Sequence, residues 1–136
     1  MSVSMTLRYQ GRLRTELVHG PSGNRIETDA PKDNLGRGEA FSPTDLVGAA
    51  LLSCAVTTMA IRSAKEGVPF AGASGRVVKE MSETPPRRIA RLEVEILLAG
   101  ELTQEERATL EEFARTCPVA LSISPAIDVE MRFRKG

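Results

Sequence analysis

Val3, Met5, Leu7 and Tyr9 alternate with Ser4, Thr6 and Arg8, the period of a half-buried strand whose successive side chains point to opposite faces. Gly11 and the cluster Pro21-Ser22-Gly23-Asn24 then punctuate two further short strands, so the N-terminal third is expected to be a small β-meander. From Asp29 to Phe41 the chain carries Pro31, Gly36 and Gly38 with no periodicity, which predicts a loop of a length that is usually functional or mobile. Ser42-Pro43-Thr44-Asp45 follows. It supplies an N-cap hydroxyl, a proline at the first helical position and a carboxylate at the third, and predicts a helix running to about Glu66, where Gly67 and Pro69 stop it.

Within that helix Val47, Ala50, Leu51, Cys54, Thr58 and Ile61 share a face. The opposite face, with Leu46, Ala49, Leu52, Val56 and Met59, is nearly as apolar, so the helix should be surrounded on most sides. A domain this small can rarely surround a helix alone, and a second subunit is expected to help. Val77, Val78 and Met81, then Leu92, Val94, Ile96 and Leu98 alternating with Arg91, Glu93 and Glu95, predict two strands paired as a hairpin through Glu83-Thr84-Pro85-Pro86-Arg87. Thr103-Gln104-Glu105-Glu106 is a second capping box, opening an amphipathic helix with Leu110, Phe113 and Ala114 inward and an end near Thr116. Pro118 forces a break and can open a new short helix. Ile127, Val129, Met131 and Phe133 alternate with charged residues as a final strand. The elements make an α+β protein, and residues 1–136 fit a single domain.

Charge narrows the partners. Lys and Arg number 18 and Asp and Glu number 18, interspersed along the chain, so no single-sign field exists for nucleic acid or an anionic membrane. Met1-Ser2-Val3-Ser4 lacks a basic n-region, and the charge-free stretch from Leu46 to Ile61 is expected to fall short of a bilayer span. These features predict a cytoplasmic protein with neither nucleic acid nor membrane as a partner. In that compartment the two cysteines, Cys54 and Cys117, are either buried small hydrophobes or transient redox groups rather than a permanent bridge.

Cys117 sits where a helix should begin, followed by Pro118, and the unpaired amides there would stabilise a thiolate. On sequence physics it is the more acidic thiol. Cys54 lies mid-helix, where amides are already bonded and an apolar setting raises a thiol pKa, so it needs a cation from elsewhere in the fold. Other chemistries find little support. His19 is the sole histidine, and two cysteines with one histidine are not a zinc signature. Gly36-Arg37-Gly38-Glu39 lacks the Gly-Lys-Ser/Thr ending of a phosphate loop. No metal or organic cofactor is expected.

The run Phe41-Ser42-Pro43-Thr44-Asp45-Leu46-Val47-Gly48-Ala49-Ala50-Leu51-Leu52-Ser53-Cys54, followed far downstream by Cys117-Pro118-Val119-Ala120-Leu121-Ser122-Ile123, resembles the OsmC/Ohr family. Segment order matches too, so the resemblance covers essentially the whole chain. It implies an OsmC-like fold: an intertwined homodimer with long central cysteine-bearing helices, antiparallel sheets and active sites at the subunit interface. It also implies a thiol peroxidase in oxidative stress defence, in which Cys54 matches the peroxidatic cysteine and Cys117 the resolving one, with their Cα atoms under about 7 Å apart.

Family peroxidases carry an arginine near the first strands, held by a glutamate just after the helix-start proline. Here Thr44 follows Pro43 and Asp45 comes one position later, an arrangement closer to the YhfA-like branch. Asp45 is therefore either an arginine anchor or a helix cap alone, with Glu39 the other candidate anchor. Arg12 and Arg14 come first as the activating arginine, with Arg37 or Arg25 reaching from the loop. The resemblance implies an organic hydroperoxide or peroxide as substrate and an external dithiol as reductant. The alternative is a non-catalytic OsmC-like dimer that binds a small apolar or acyl ligand or serves as a redox sensor.

Overall fold

The N-terminal alternation forms three strands, β1 (Met5–Gly11), β2 (Arg14–His19) and β3 (Arg25–Asp29), in an antiparallel meander of order β1-β2-β3. The computed structural model describes residues 1–136, which form two compact units, residues 1–47 and 48–136. In the first unit Leu7 pairs with Leu17, and Leu17 with Ile26. Directly paired residues share a face, so Met5, Leu7, Tyr9, Leu17 and Ile26 line one side while Arg8, Glu16, Arg25 and Glu27 line the other. Met5, Leu7, Tyr9 and Ile26 are 64%, 60%, 59% and 49% exposed, a largely open apolar sheet face. The β1–β2 turn places Arg12 at φ 53° and Leu13 at φ 64°. Two successive left-handed residues suit the twist of a tight hairpin, but the usual occupants are Asn and Gly.

The stretch after Asp29 is more ordered than its composition predicts. A short 3-10 turn occupies Lys32–Asn34, the amides of Asn34 and Gly36 both donate to the Pro31 carbonyl at 2.9 Å, and the Gly38 amide donates to the Ala30 carbonyl at 3.2 Å. A Cβ on Gly36 would lie 1.7 Å from the Ala30 carbonyl oxygen, so only glycine lets the loop close on itself.

Helix α1 (Pro43–Glu66) begins at the predicted cap. The Asp45 amide donates to Ser42 Oγ at 3.1 Å and the Ser42 amide donates to Asp45 Oδ2 at 2.9 Å, a reciprocal capping box. Its buried positions are Gly48, Leu51, Ala55, Met59 and Ser63. That is one stripe at helical spacing, and it puts Leu51 and Met59 on the same side rather than on opposite faces. Leu52 and Val56 are half-buried and Ile61 is 49% exposed, so the chain by itself does not surround this helix. By length and composition α1 is also long and apolar enough to cross a membrane, with a mean hydropathy of 1.6 in its best window. The charge-free stretch is still Leu46–Ile61; the helix reaches that length only by running past it at both ends, through Asp45 and Arg62.

The second unit holds β4 (Ala73–Met81), β5 (Ile89–Leu98) and β6 (Asp128–Lys135), in the order β4-β5-β6. β4 and β5 pair antiparallel as expected, but β5 and β6 run parallel, from Arg91↔Asp128 to Leu98↔Lys135. This corrects the expectation of wholly antiparallel sheets. The cause is the crossover of α2 (Gln104–Arg115) and α3 (Pro118–Ser122), because a helical connection carries the chain back to enter the sheet in its original direction. The Thr103–Glu106 capping box forms in both directions, and Leu110, Phe113 and Ala114 are buried as read. Leu92, Val94, Ile96 and Leu98 of β5 bury one face together with Leu51 and Met59 of α1. Arg91, Arg132 and Arg134 pair with carboxylates on the other: Arg91 to Asp128 and Glu130, Arg132 to Glu93, Arg134 to Glu95. α1 lies on this sheet through two glycines. A Cβ on Gly48 would sit 3.4 Å from Leu92 Cδ2, and one on Gly75 would sit 3.1 Å from Leu52 Cδ1 and 2.5 Å from the Glu95 carbonyl oxygen.

Candidate functional site

Two elements bring the cysteines together in the second unit. Cys54 stands mid-way along α1, half-buried, and its Sγ lies 3.8 Å from Thr58 Oγ1 one turn later. Cys117 is the N-cap of α3, with φ −68° and ψ 155°, and is fully buried. Pro118 makes this junction: it cannot continue α2, and its fixed φ suits the first position of a new helix. The Cys54 thiol is among the groups that act on the titration of the Cys117 thiol, which brings the two cysteines into one neighbourhood.

The helix terminus does not make Cys117 an acidic thiol. Burial pushes the Cys117 thiol up, the amides of Ala120 and Val119 pull it down, and the neighbouring Cys54 sulfur pushes it up further; the net shift is upward. An N-terminal cap stabilises a thiolate only if the sulfur is not also stripped of solvent beside a second sulfur. Cys117 is therefore held as a neutral thiol.

The basic candidates lie in the first unit, and their surroundings separate them. Arg12 is exposed at the strained hairpin turn. Arg37 is half-buried between Gly36 and Gly38, its Nε buried without a hydrogen-bond partner. Arg14 is the one that is locked. Its Nε donates to Asp29 Oδ1 at 2.7 Å and its Nη2 to Asp29 Oδ2 at 2.8 Å, while Glu39 Oε1 stands 3.5 Å from Nη2. Asp29, 1% exposed, also accepts the Glu39 amide at 3.1 Å. The Arg14 hydrogen bonds hold the Asp29 carboxyl down to about 2 against the upward push of burial, with help from the Glu39 amide and the Arg37 charge. Arg14 is in turn raised above its ordinary value by Asp29.

Of the two expected anchors, then, Glu39 stands at the edge of hydrogen-bonding range from Arg14, and the Asp45 carboxylate takes the Ser42 amide as half of the helix cap. Asp29 was missed. Its signal lay in the strand alternation: Arg14 and Asp29 are direct partners across β2 and β3, an opposite-charge pair on one face. Thr58 also carried a signal, four residues after Cys54 on the same helix. No three His, Cys, Asp or Glu side chains converge in a way that could hold a metal ion.

A family model described as OsmC-like protein matches residues 36–132. A crystal structure from Psychrobacter arcticus, provisionally named an osmotic stress induced and detoxification response protein, is 40% identical, with a TM-score of 0.88 over 95% of this chain and 93% of that one. The chain belongs to the OsmC-like family. Its fold is also that of organic hydroperoxide resistance proteins from Legionella pneumophila (17% identity, TM-score 0.80, covering 98% and 97% of the two chains) and Elizabethkingia anophelis (16%, 0.80, 100% and 97%). None of the curated proteins matches.

Proposed function

We propose that this OsmC-like protein is a cytoplasmic, thiol-dependent peroxidase that reduces organic hydroperoxides or peroxide and works as a homodimer. The observation that carries the reading is that Cys54 and Cys117, free thiols from distant segments, one half-open and one buried, are close enough for Cys54 to act on the titration of Cys117. The Cys54 thiolate attacks the O–O bond; with one proton taken up, the alcohol leaves and Cys54 becomes a sulfenic acid. Cys117 then condenses with it, its thiol proton leaving with the sulfenic oxygen as water, and an external dithiol reduces the disulfide by two electrons. Of the candidate arginines, Arg14 is the one whose guanidinium is held in a fixed plane. The names of the fold relatives support an organic hydroperoxide as substrate. The largely open sheet face and the half-covered α1 support the dimer, which sedimentation at micromolar concentration tests; a monomer there refutes it.

A second reading, ligand binding without turnover, draws on an open apolar hollow of about 550 Å³ in the first unit, lined by Met5, Leu17, His19, Ile26 and Leu46 among others. Hydroperoxide consumption with dithiol recycling decides between the two. Wild-type protein should consume cumene hydroperoxide faster than a free thiol, Cys54→Ser should not, and Cys117→Ser should keep the first attack but form no intramolecular disulfide. Consumption no faster than that of a free thiol leaves the binding reading in place.

A further inference from the structure

Between Asp45 and Arg62 helix α1 carries no charged side chain, so any polar help that this run gives Cys54 comes from a hydroxyl. We infer that Thr58 is a catalytic residue of the proposed reaction, the hydrogen-bond donor that holds the Cys54 sulfur as a thiolate. The inference rests on the thiol chemistry proposed for Cys54, and it concerns the second unit alone.

The two side chains stand one turn apart on the same helix face, with Thr58 Oγ1 3.8 Å from Cys54 Sγ. Both are half-buried, beside the buried stripe of Leu51, Ala55 and Met59. The pair is thus partly shielded from water and partly open to a substrate. Hydroxyls of the other helices behave differently. Thr109, Thr116 and Ser122 each donate to the carbonyl four residues before, at 3.0, 2.8 and 2.7 Å, the ordinary habit of Thr and Ser in helices. Thr58 meets a sulfur at that same offset. Ser53 and Thr57, the remaining hydroxyls of the charge-free run, are exposed.

Either atom of the pair can donate while the sulfur keeps its proton; once the sulfur is ionised, only Thr58 can. A neutral sulfur accepts weakly and a thiolate strongly, so the contact tightens on ionisation, and a donor that binds the charged form better favours that form. The margin between a hydrogen bond to a charged group and one to a neutral group raises the thiolate fraction about five-fold. Part of that gain is returned, because a stabilised thiolate is a poorer nucleophile, and about two- to three-fold in rate remains at neutral pH.

Alkylation of Cys54 by iodoacetamide, followed against pH in the full chain and read by peptide mass, tests this in Thr58→Val, Thr58→Ser and Thr57→Val. Thr58→Val is expected to move the profile up by about 0.7 pH unit, the same five-fold change, and to slow alkylation at pH 7 about two- to three-fold. Thr58→Ser keeps the hydroxyl and should follow wild type, as should Thr57→Val. A hydroxyl with a purely structural role alters the melting temperature and leaves the profile alone. A Thr58→Val profile that stays in place or moves to lower pH overturns the inference, and so does a Thr58→Ser or Thr57→Val profile that moves as far as Thr58→Val. Should valine unsettle the helix, Thr58→Ala reads the same loss. Hydroperoxide consumption is measured alongside. A shifted profile, with wild-type protein consuming cumene hydroperoxide no faster than a free thiol, keeps Thr58 as the donor to the thiolate and removes the peroxidase reading instead.

Discussion

Gly75 and Gly48 both lie where α1 meets its sheet, yet alanine at the two positions should act with opposite sign. A Cβ on Gly75 would stand 2.5 Å from the backbone oxygen of Glu95 and 3.1 Å from Leu52 Cδ1. The leucine methyl can turn away, but the carbonyl belongs to β5, the central strand, and cannot. Such overpacking costs about 1–3 kcal/mol, of which ~0.5–1 kcal/mol is returned because alanine loses less backbone freedom on folding than glycine. The net loss is about 1–2 kcal/mol, or roughly 3–8 °C in Tm for a chain of this size. A Cβ on Gly48 would stand 3.4 Å from a leucine methyl and 3.6 Å from Val77 Cγ2, close to ordinary van der Waals contact, and glycine inside a helix is worth about 1 kcal/mol less than alanine. Gly48→Ala should therefore leave Tm unchanged or raise it. Calorimetry of both variants at one fixed protein concentration reads the pair, because the proposed dimer would make Tm concentration-dependent. A Gly75→Ala protein melting within a degree of wild type, or the two variants moving the same way, would falsify this account of the helix–sheet approach.

Three further outcomes are expected. The folded Asp29 carboxyl lies at about 2, below its unfolded value of about 3.9, so its contribution is fully present above pH ~4 and is lost as pH falls through about 2; urea melts should show the gap between wild type and Asp29→Asn closing over that window, and a gap independent of pH refutes it. Leu13, 42% exposed at φ 64°, should be improved by Leu13→Gly by about 0.5–1 kcal/mol, since relief of ~1–2 kcal/mol in the left-handed region outweighs the entropy that glycine loses; a lower Tm counts against strain at that turn. Ser63 is 4% exposed with its Oγ unpartnered, so Ser63→Ala should raise stability by about 1 kcal/mol, and a loss would mean that the hydroxyl is satisfied in solution.

Much of the fold was legible because its signals are local. Ser42 and Asp45 announce α1, Thr103 and Glu106 announce α2, and Pro118 forces the break that makes Cys117 an N-cap. Alternation revealed the strands and the inward set of β5. The direction of β6 was not legible, because periodicity carries no information about which way a strand enters a sheet; that follows from where α2 and α3 return the chain. The acidity of Cys117 was misread for a related reason. Its helix terminus is written in the sequence, whereas its burial and its neighbour Cys54 come from segments far away. Asp29 was hidden by its position at a boundary: as the last residue of β3 it looked like the first residue of a loop, and its pairing with Arg14 needs a register that hydrophobic alternation alone does not number.

If the proposed mechanism joins Cys54 to Cys117, it also couples the oxidation state of the protein to its resistance to unfolding. A bond between those sulfurs closes a loop of roughly 60 residues, which removes about 4 kcal/mol of chain entropy from the unfolded ensemble. The loop takes in β4, β5 and α2, so the oxidised chain cannot open its second unit without dragging a closed ring. By thermodynamic reciprocity the same energy is lent to the bond: about 4 kcal/mol corresponds to roughly 90 mV for a two-electron couple, by which the folded protein holds its disulfide more firmly than its denatured chain does. On the proposed mechanism, a reductant able to recycle the folded protein would have to overcome that reserve. Heat or protease survival becomes a direct gauge of how much of the protein is waiting to be reduced.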